Sequence, residues 1–161
     1  MVKPYREMEI FDSIPLENGR HIPIIYGPEH VQSEGFQLLY VTKVEVGNEQ
    51  CHGIIVDDTY LSMSENIKIF FLLHEMGHIL HGDVELPEEE SKMILQSRMN
   101  GEVPEMELKA DAFAIQYYPE DRLIDMLIEL GKIISISIEK NPEDVAANEF
   151  LQRYNAMVSI D

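Results

Sequence analysis

Apolar positions along the chain fall into two regimes. Through roughly the first third they gather in short runs rich in Ile, Val, Leu and Tyr: "IPIIYG" at residues 22–27, "FQLLYVTKVEV" at 36–46 and "HGIIVDD" at 52–58. Gly, Pro and Asn breakers separate these runs, and "VGNEQC" at 46–51 reads as a hairpin loop. This pattern predicts three or so short strands in one small antiparallel sheet.

After residue 61 the period becomes helical. Ser62 followed three residues later by Glu65 fits a capping box. From there Ile67, Phe70, Phe71, Leu73 and Ile79 fill one broad side of a helix running to about His81, with Gly82 as its stop. A second helix is expected over residues 88–99, ended by Asn100-Gly101. A third begins near Pro104 and runs through Tyr118. Pro119 opens a fourth, closed by Gly131, and "IISISIE" fits either a short strand or continued helix. The run Asn141-Pro142-Glu143-Asp144 caps a last helix to about Val158. The expected fold is one α+β domain over residues 1–161, strand-rich over 1–61 and helical over 62–161, with the sheet packed on the helical body.

Charge narrows the function. Of 161 residues, 30 are acidic and 12 basic, a formal net charge of -18. Binding nucleic acid or an anionic membrane surface relies on Lys and Arg, so both are disfavoured, while a basic protein partner would be attracted. The single cysteine, Cys51, cannot form an internal disulfide. The start "MVKPYREMEIF" lacks the apolar core of a secretory signal, and no apolar run approaches the roughly 20 residues of a membrane span. The expected location is the cytoplasm.

The first helix carries the chemistry. His74-Glu75-Met76-Gly77-His78 matches H-E-x-x-H inside the apolar run "FFLLHEMGHILHGD". Residues four apart are neighbours on a helix, so both imidazoles can bind one Zn2+. Glu75 can reach a water on that ion without ligating it, and serve as general base. The bland alternative is a helix with His and Glu on a solvated side, which the apolar flanks make unconvincing. Gly77 costs a helix roughly 1 kcal/mol relative to Ala, which suggests that another element packs against it.

A catalytic zinc needs a third protein ligand and an open fourth position. The position where metzincins place a third histidine is Val84 here, which excludes that class. His81 lies too near the helix end to be the expected ligand, and suits a local capping role. The better candidate is Glu107 in "PEMELKADAFAIQYY". It lies one turn before Asp111, and Ala114 and Tyr118 continue the stripe. Asp111 is placed to hold a ligating histidine through its other nitrogen. Ala110, Ala112 and Ala114 keep that helix slim. The alternative is an ordinary acidic first turn, which describes Glu102 and Glu105.

Taken in order, "IFFLLHEMGHILHGD" and "ELKADAFA", with the small strand-rich segment ahead of them, make residues 36–118 resemble the ImmA/IrrE family of zinc metallopeptidases. The resemblance implies a gluzincin-like (zincin-like) fold with His74, His78 and Glu107 as zinc ligands and Glu75 as general base. It also implies proteolysis of a transcriptional repressor, in systems of the mobile-element or stress-response type. The first thirty and last forty residues match no part of the pattern. A second expectation, from a different class, is a non-catalytic zinc protein that sequesters a repressor or toxin. Tyr117, Tyr118 and His52 are the candidates for stabilising an oxyanion. Cys51 is expected to be inert and the nine methionines core filler.

Overall fold

A computed structural model describes residues 2–4, 9–15, 21–26, 39–46, 49–83 and 87–159, with side chains over 21–26, 51–83 and 87–159. The chain divides into two compact units, Met1–Met63 and Ser64–Asp161. The division falls within two residues of the change from strand to helix pattern.

The first unit is a five-stranded sheet of β1 (Val2–Pro4), β2 (Glu9–Pro15), β3 (His21–Tyr26), β4 (Leu39–Val46) and β5 (Glu49–Val56), in the order β1-β4-β5-β3-β2. Together with the helical second unit it makes the chain α+β. The expected antiparallel sheet is corrected: β4/β5 and β2/β3 are antiparallel, but β1/β4 and β3/β5 are parallel. The hairpin was readable because β4 and β5 are joined by two residues and pair from Leu39↔Val56 to Val46↔Glu49. Parallel neighbours need a long crossover, which leaves no local signal. β2 also escaped the pattern, because its register shifts between Ile10 and Asp12 and breaks the alternation. Ile24, Ile25, Ile54, Ile55 and Val56 are buried without alternation, as befits strands in the middle of a sheet.

A short helix, α1 (Asp58–Leu61), follows, capped by the Asp57 carboxylate, which accepts from the Tyr60 N–H at 3.1 Å. This turn takes Ser62 out of its expected role. Ser62 ends α1, its hydroxyl donating to the Thr59 carbonyl at 2.8 Å. The cap of the next helix is Ser64, whose oxygen accepts from Ile67 N–H.

The second unit contains α2 (Glu65–Leu80), α3 (Glu88–Met99), α4 (Glu105–Tyr117), a 3-10 turn (Glu120–Arg122), α5 (Leu123–Lys140) and α6 (Val145–Val158). Asn66 ties the start of α2 to its neighbours. Its carbonyl accepts from Tyr118 at 2.9 Å, its side-chain oxygen from Arg122 at 2.9 Å, and its amide donates to Glu129 at 3.1 Å. The α2 side turned inward holds Ile67, Phe70, Phe71, His74, Gly77 and His78, while Leu73 and Ile79 are only partly covered.

Gly131 does not end α5, and "IISISIE" is helical. A Cβ at residue 131 would lie 2.8 Å from the Tyr154 hydroxyl, which donates to the Leu127 carbonyl at 3.0 Å. The glycine therefore makes room for α6 rather than a break. Among the described residues, no helix is long and apolar enough to cross a membrane.

Candidate metal centre

α2 and α4 build the centre by close approach. A Cβ on Gly77 would stand 3.3 Å from both Ala110 Cα and Phe113 Cβ. The glycine lets the α4 backbone lie against α2, and the buried Ala110 and Ala114 keep the contact slim. Ala112, expected to share that task, is exposed. Glu107, Asp111 and Ala114 on α4, and Tyr118 at its end, are all buried, as the stripe predicts.

The structure brings His74, His78 and Glu107 together as a group able to hold a metal ion. His74 Nε2 lies 3.1 Å from His78 Nε2 and 3.1 Å from Glu107 Oε2, and His78 Nε2 lies 3.2 Å from Glu107 Oε1. Bonds of about 2.0–2.1 Å to a tetrahedral zinc imply ligand–ligand edges of about 3.3–3.4 Å, so the two nitrogens stand near that spacing from each other and each from one of the two Glu107 oxygens.

The outer nitrogens decide what the inner ones can do. His74 Nδ1 is 2.8 Å from Asp111 Oδ1, and His78 Nδ1 is 2.9 Å from Asp83 Oδ2. Each carboxylate can only accept, so each Nδ1 carries a proton and donates it. Both neutral imidazoles then turn an Nε2 lone pair inward, towards each other and towards the Glu107 carboxylate. Three converging lone-pair donors repel unless a cation stands between them. A proton or a metal ion meets that need, and the two-imidazole, one-carboxylate set suits zinc.

The electrostatics agree. Burial opposes charge on His74, but its hydrogen bonds to Asp111 and Glu107 outweigh burial and push its pKa up to about 9. Burial likewise opposes charge on His78, and Glu107 raises it. Burial would raise Glu107, yet its bonds to His74 and His78 hold it well below the usual carboxylate range.

Three residues that sequence reasoning missed hold the centre. Arg153 of α6 donates to Asp111 through Nε and Nη2, each at 2.8 Å, and its Nη1 lies 3.4 Å from Glu107 Oε2. Its guanidinium also lies over the Phe150 ring, 4.6 Å from the centroid. Arg153 falls in phase with the buried Ala147, Phe150 and Met157. A charge in the middle of that apolar stripe was the available signal. Arg98, in the last turn of α3, donates to Glu107 Oε1 at 2.8 Å. Asp83 follows Gly82, whose positive φ of 76° turns the chain at the end of α2. The "HGD" run was its signal.

Glu75 is half-buried beside His74 and is not one of the three converging donors. Burial pushes its carboxyl up, and the His74 and His78 charges act against that. His81 caps the end of α2, and its exposed ring packs edge-on against Phe113 at 6.0 Å, outside the donor group. Tyr118 gives its hydroxyl to Asn66, at the opposite end of α4 from Glu107. Eleven residue steps along the helix separate them, about 16 Å. Tyr117 is exposed beside Phe113. His52 and Cys51 lie on β5, in the other unit.

The chain matches no protein-family model, no curated protein and no solved structure.

Proposed function

We propose that the chain is a zinc-dependent endopeptidase with a zincin-like centre, acting in the cytoplasm in the manner of the ImmA/IrrE family it resembles. The observation that carries this reading is the convergence of His74 Nε2, His78 Nε2 and a Glu107 oxygen, with both outer nitrogens committed to carboxylates. His74, His78 and Glu107 would hold the ion. Zinc bound there would lower the pKa of a water to about 7 and polarise a peptide carbonyl.

The remaining work belongs to side chains. Glu75, not a ligand and next to His74, takes the proton of the attacking water and returns it to the leaving amine. In the metal-free protein burial raises its carboxyl, which favours uptake of a proton. Asp111 and Asp83 hold the two imidazoles in the tautomer that presents Nε2. The substrate we infer is a DNA-binding repressor or a similar regulatory protein. The formal charge of -18 supports that choice, since it would draw in a basic partner.

Burial of all three donors favours a second reading, a non-catalytic zinc protein that sequesters a repressor or toxin. One experiment separates the two. Protein purified without chelator is assayed for zinc, then incubated with a candidate repressor as wild type and as Glu75→Gln. The endopeptidase reading expects about one zinc per chain in both and cleavage only by wild type. Cleavage that survives Glu75→Gln rejects the mechanism. Wild type that binds zinc and the repressor without cutting it supports sequestration.

A further inference from the structure

Attack on a peptide carbonyl drives negative charge onto its oxygen, and one fixed donor aimed there is worth about 10²–10³ in rate. Among the described residues, two cationic side chains touch Glu107. Arg153 is fully committed: Nε and Nη2 bind Asp111, Nη1 faces Glu107, and its side chain is 8% exposed. Arg98 differs on each count. Its side chain is 33% exposed, and only Nη2 makes a hydrogen bond, to Glu107 Oε1. Its buried Nε is ion-paired with Glu149 Oε1 at 3.3 Å without a hydrogen bond between them, and its Nη1 enters none of the hydrogen bonds or ion pairs of the described residues. A charged donor one hydrogen bond from the candidate ligand set, on a side chain one-third exposed and with Nη1 uncommitted among the described residues, has what an oxyanion requires.

Resting on the endopeptidase reading, we propose that Arg98 is a catalytic residue that donates to the carbonyl oxygen of the scissile peptide. Nη2 stays on Glu107 while Nη1 meets the substrate. A lone pair of the water oxygen forms the new bond to the carbonyl carbon, and the C=O π pair moves onto the oxygen facing Arg98. Glu75 takes one proton from the water. The oxygen then re-forms C=O, the C–N bond breaks with its electron pair going to nitrogen, and Glu75 gives that nitrogen the proton.

The test uses the zinc-loaded full chain and two probes sharing the same side chains. A peptidyl phosphonamidate is a tetrahedral anion that needs the oxyanion donor. A peptidyl hydroxamate binds through the metal alone. At saturating zinc, R98M is expected to weaken the phosphonamidate about a hundredfold more than the hydroxamate, with R98K recovering part of the loss. Equal weakening of both probes, which would show that Arg98 merely holds Glu107, or weakening of neither would overturn the proposal. Wild type that carries zinc but binds neither probe would reject the endopeptidase reading itself, and this assignment with it.

Discussion

His74 Nδ1 lies 2.8 Å from Asp111 Oδ1, and the same oxygen accepts from Arg153 Nη2 at 2.8 Å. One carboxylate oxygen thus joins α2, α4 and α6, and it aims His74 Nε2 at the other donors. Asp111 is 2% exposed, so neither partner can turn to water if it is removed. Asp111→Ala would strand a buried guanidinium and free the imidazole. The expected result is a loss of about 3–5 kcal/mol of stability and of about 10–100-fold in zinc affinity. Denaturant unfolding and chelator competition read the two losses separately. Zinc affinity unchanged in a folded Asp111→Leu variant, which has no acceptor for Nδ1–H, would show that this contact does not orient His74.

Arg153→Met removes the guanidinium and leaves Asp111 buried and anionic. Breaking such a pair is expected to cost about 3–5 kcal/mol. The shape is kept, and the contact with Phe150 remains apolar. A Tm equal to wild type would mean that the charge pair adds nothing net, which urea unfolding would confirm.

Metal-free protein should titrate in a defined window. His74 has its pKa raised from 6.5 to about 9, burial being outweighed by Asp111 and Glu107. A raised histidine stabilises the fold fully below pH 6.5, and that stabilisation is lost as pH rises through about 9. Metal-free protein is therefore expected to lose stability between those values. Zinc must displace the same proton, so its affinity should rise with pH across the window. Calorimetry at pH 7.5 in buffers of different ionisation enthalpy should record about one proton released per zinc. Binding without proton release would contradict the raised pKa.

Gly77→Ala sets two effects against each other. Alanine is worth roughly 1 kcal/mol more than glycine inside a helix. Its Cβ, however, would meet Ala110 Cα and Phe113 Cβ at 3.3 Å. The Ala110 atom is backbone and cannot rotate away, so α4 must shift by a few tenths of an ångström. Overpacking of this kind costs about 1–3 kcal/mol, and the shift moves Glu107. The expected outcome is a lower Tm with weaker zinc binding. A higher Tm with unchanged zinc affinity would show that α4 yields without cost.

Residues close in sequence made much of the centre legible. His74 and His78 are one helical turn apart, so their alignment follows once α2 is helical. Glu107 and Asp111 repeat that spacing on α4, and the glycine and alanines at the crossing announce a close approach. The cap of α2 was misplaced by two residues because α1, a four-residue turn, takes Ser62 for its own end. Gly131 resembled a helix stop because its reason, the hydroxyl of Tyr154, lies 23 residues further along the chain.

What the sequence by itself determined is what depends on local period: the helices of the second unit apart from the cap of α2 and the full length of α5, the hairpin of β4 and β5, and the paired donors on α2 and α4. What only the tertiary structure decided is which distant groups meet. The mixed order of the sheet, Arg153 on Asp111 and Arg98 on Glu107 all belong there. The physical reason is range. Helical and strand periods are set by backbone geometry over a few residues, whereas a buried charge finds its partner only when packing brings separate elements together.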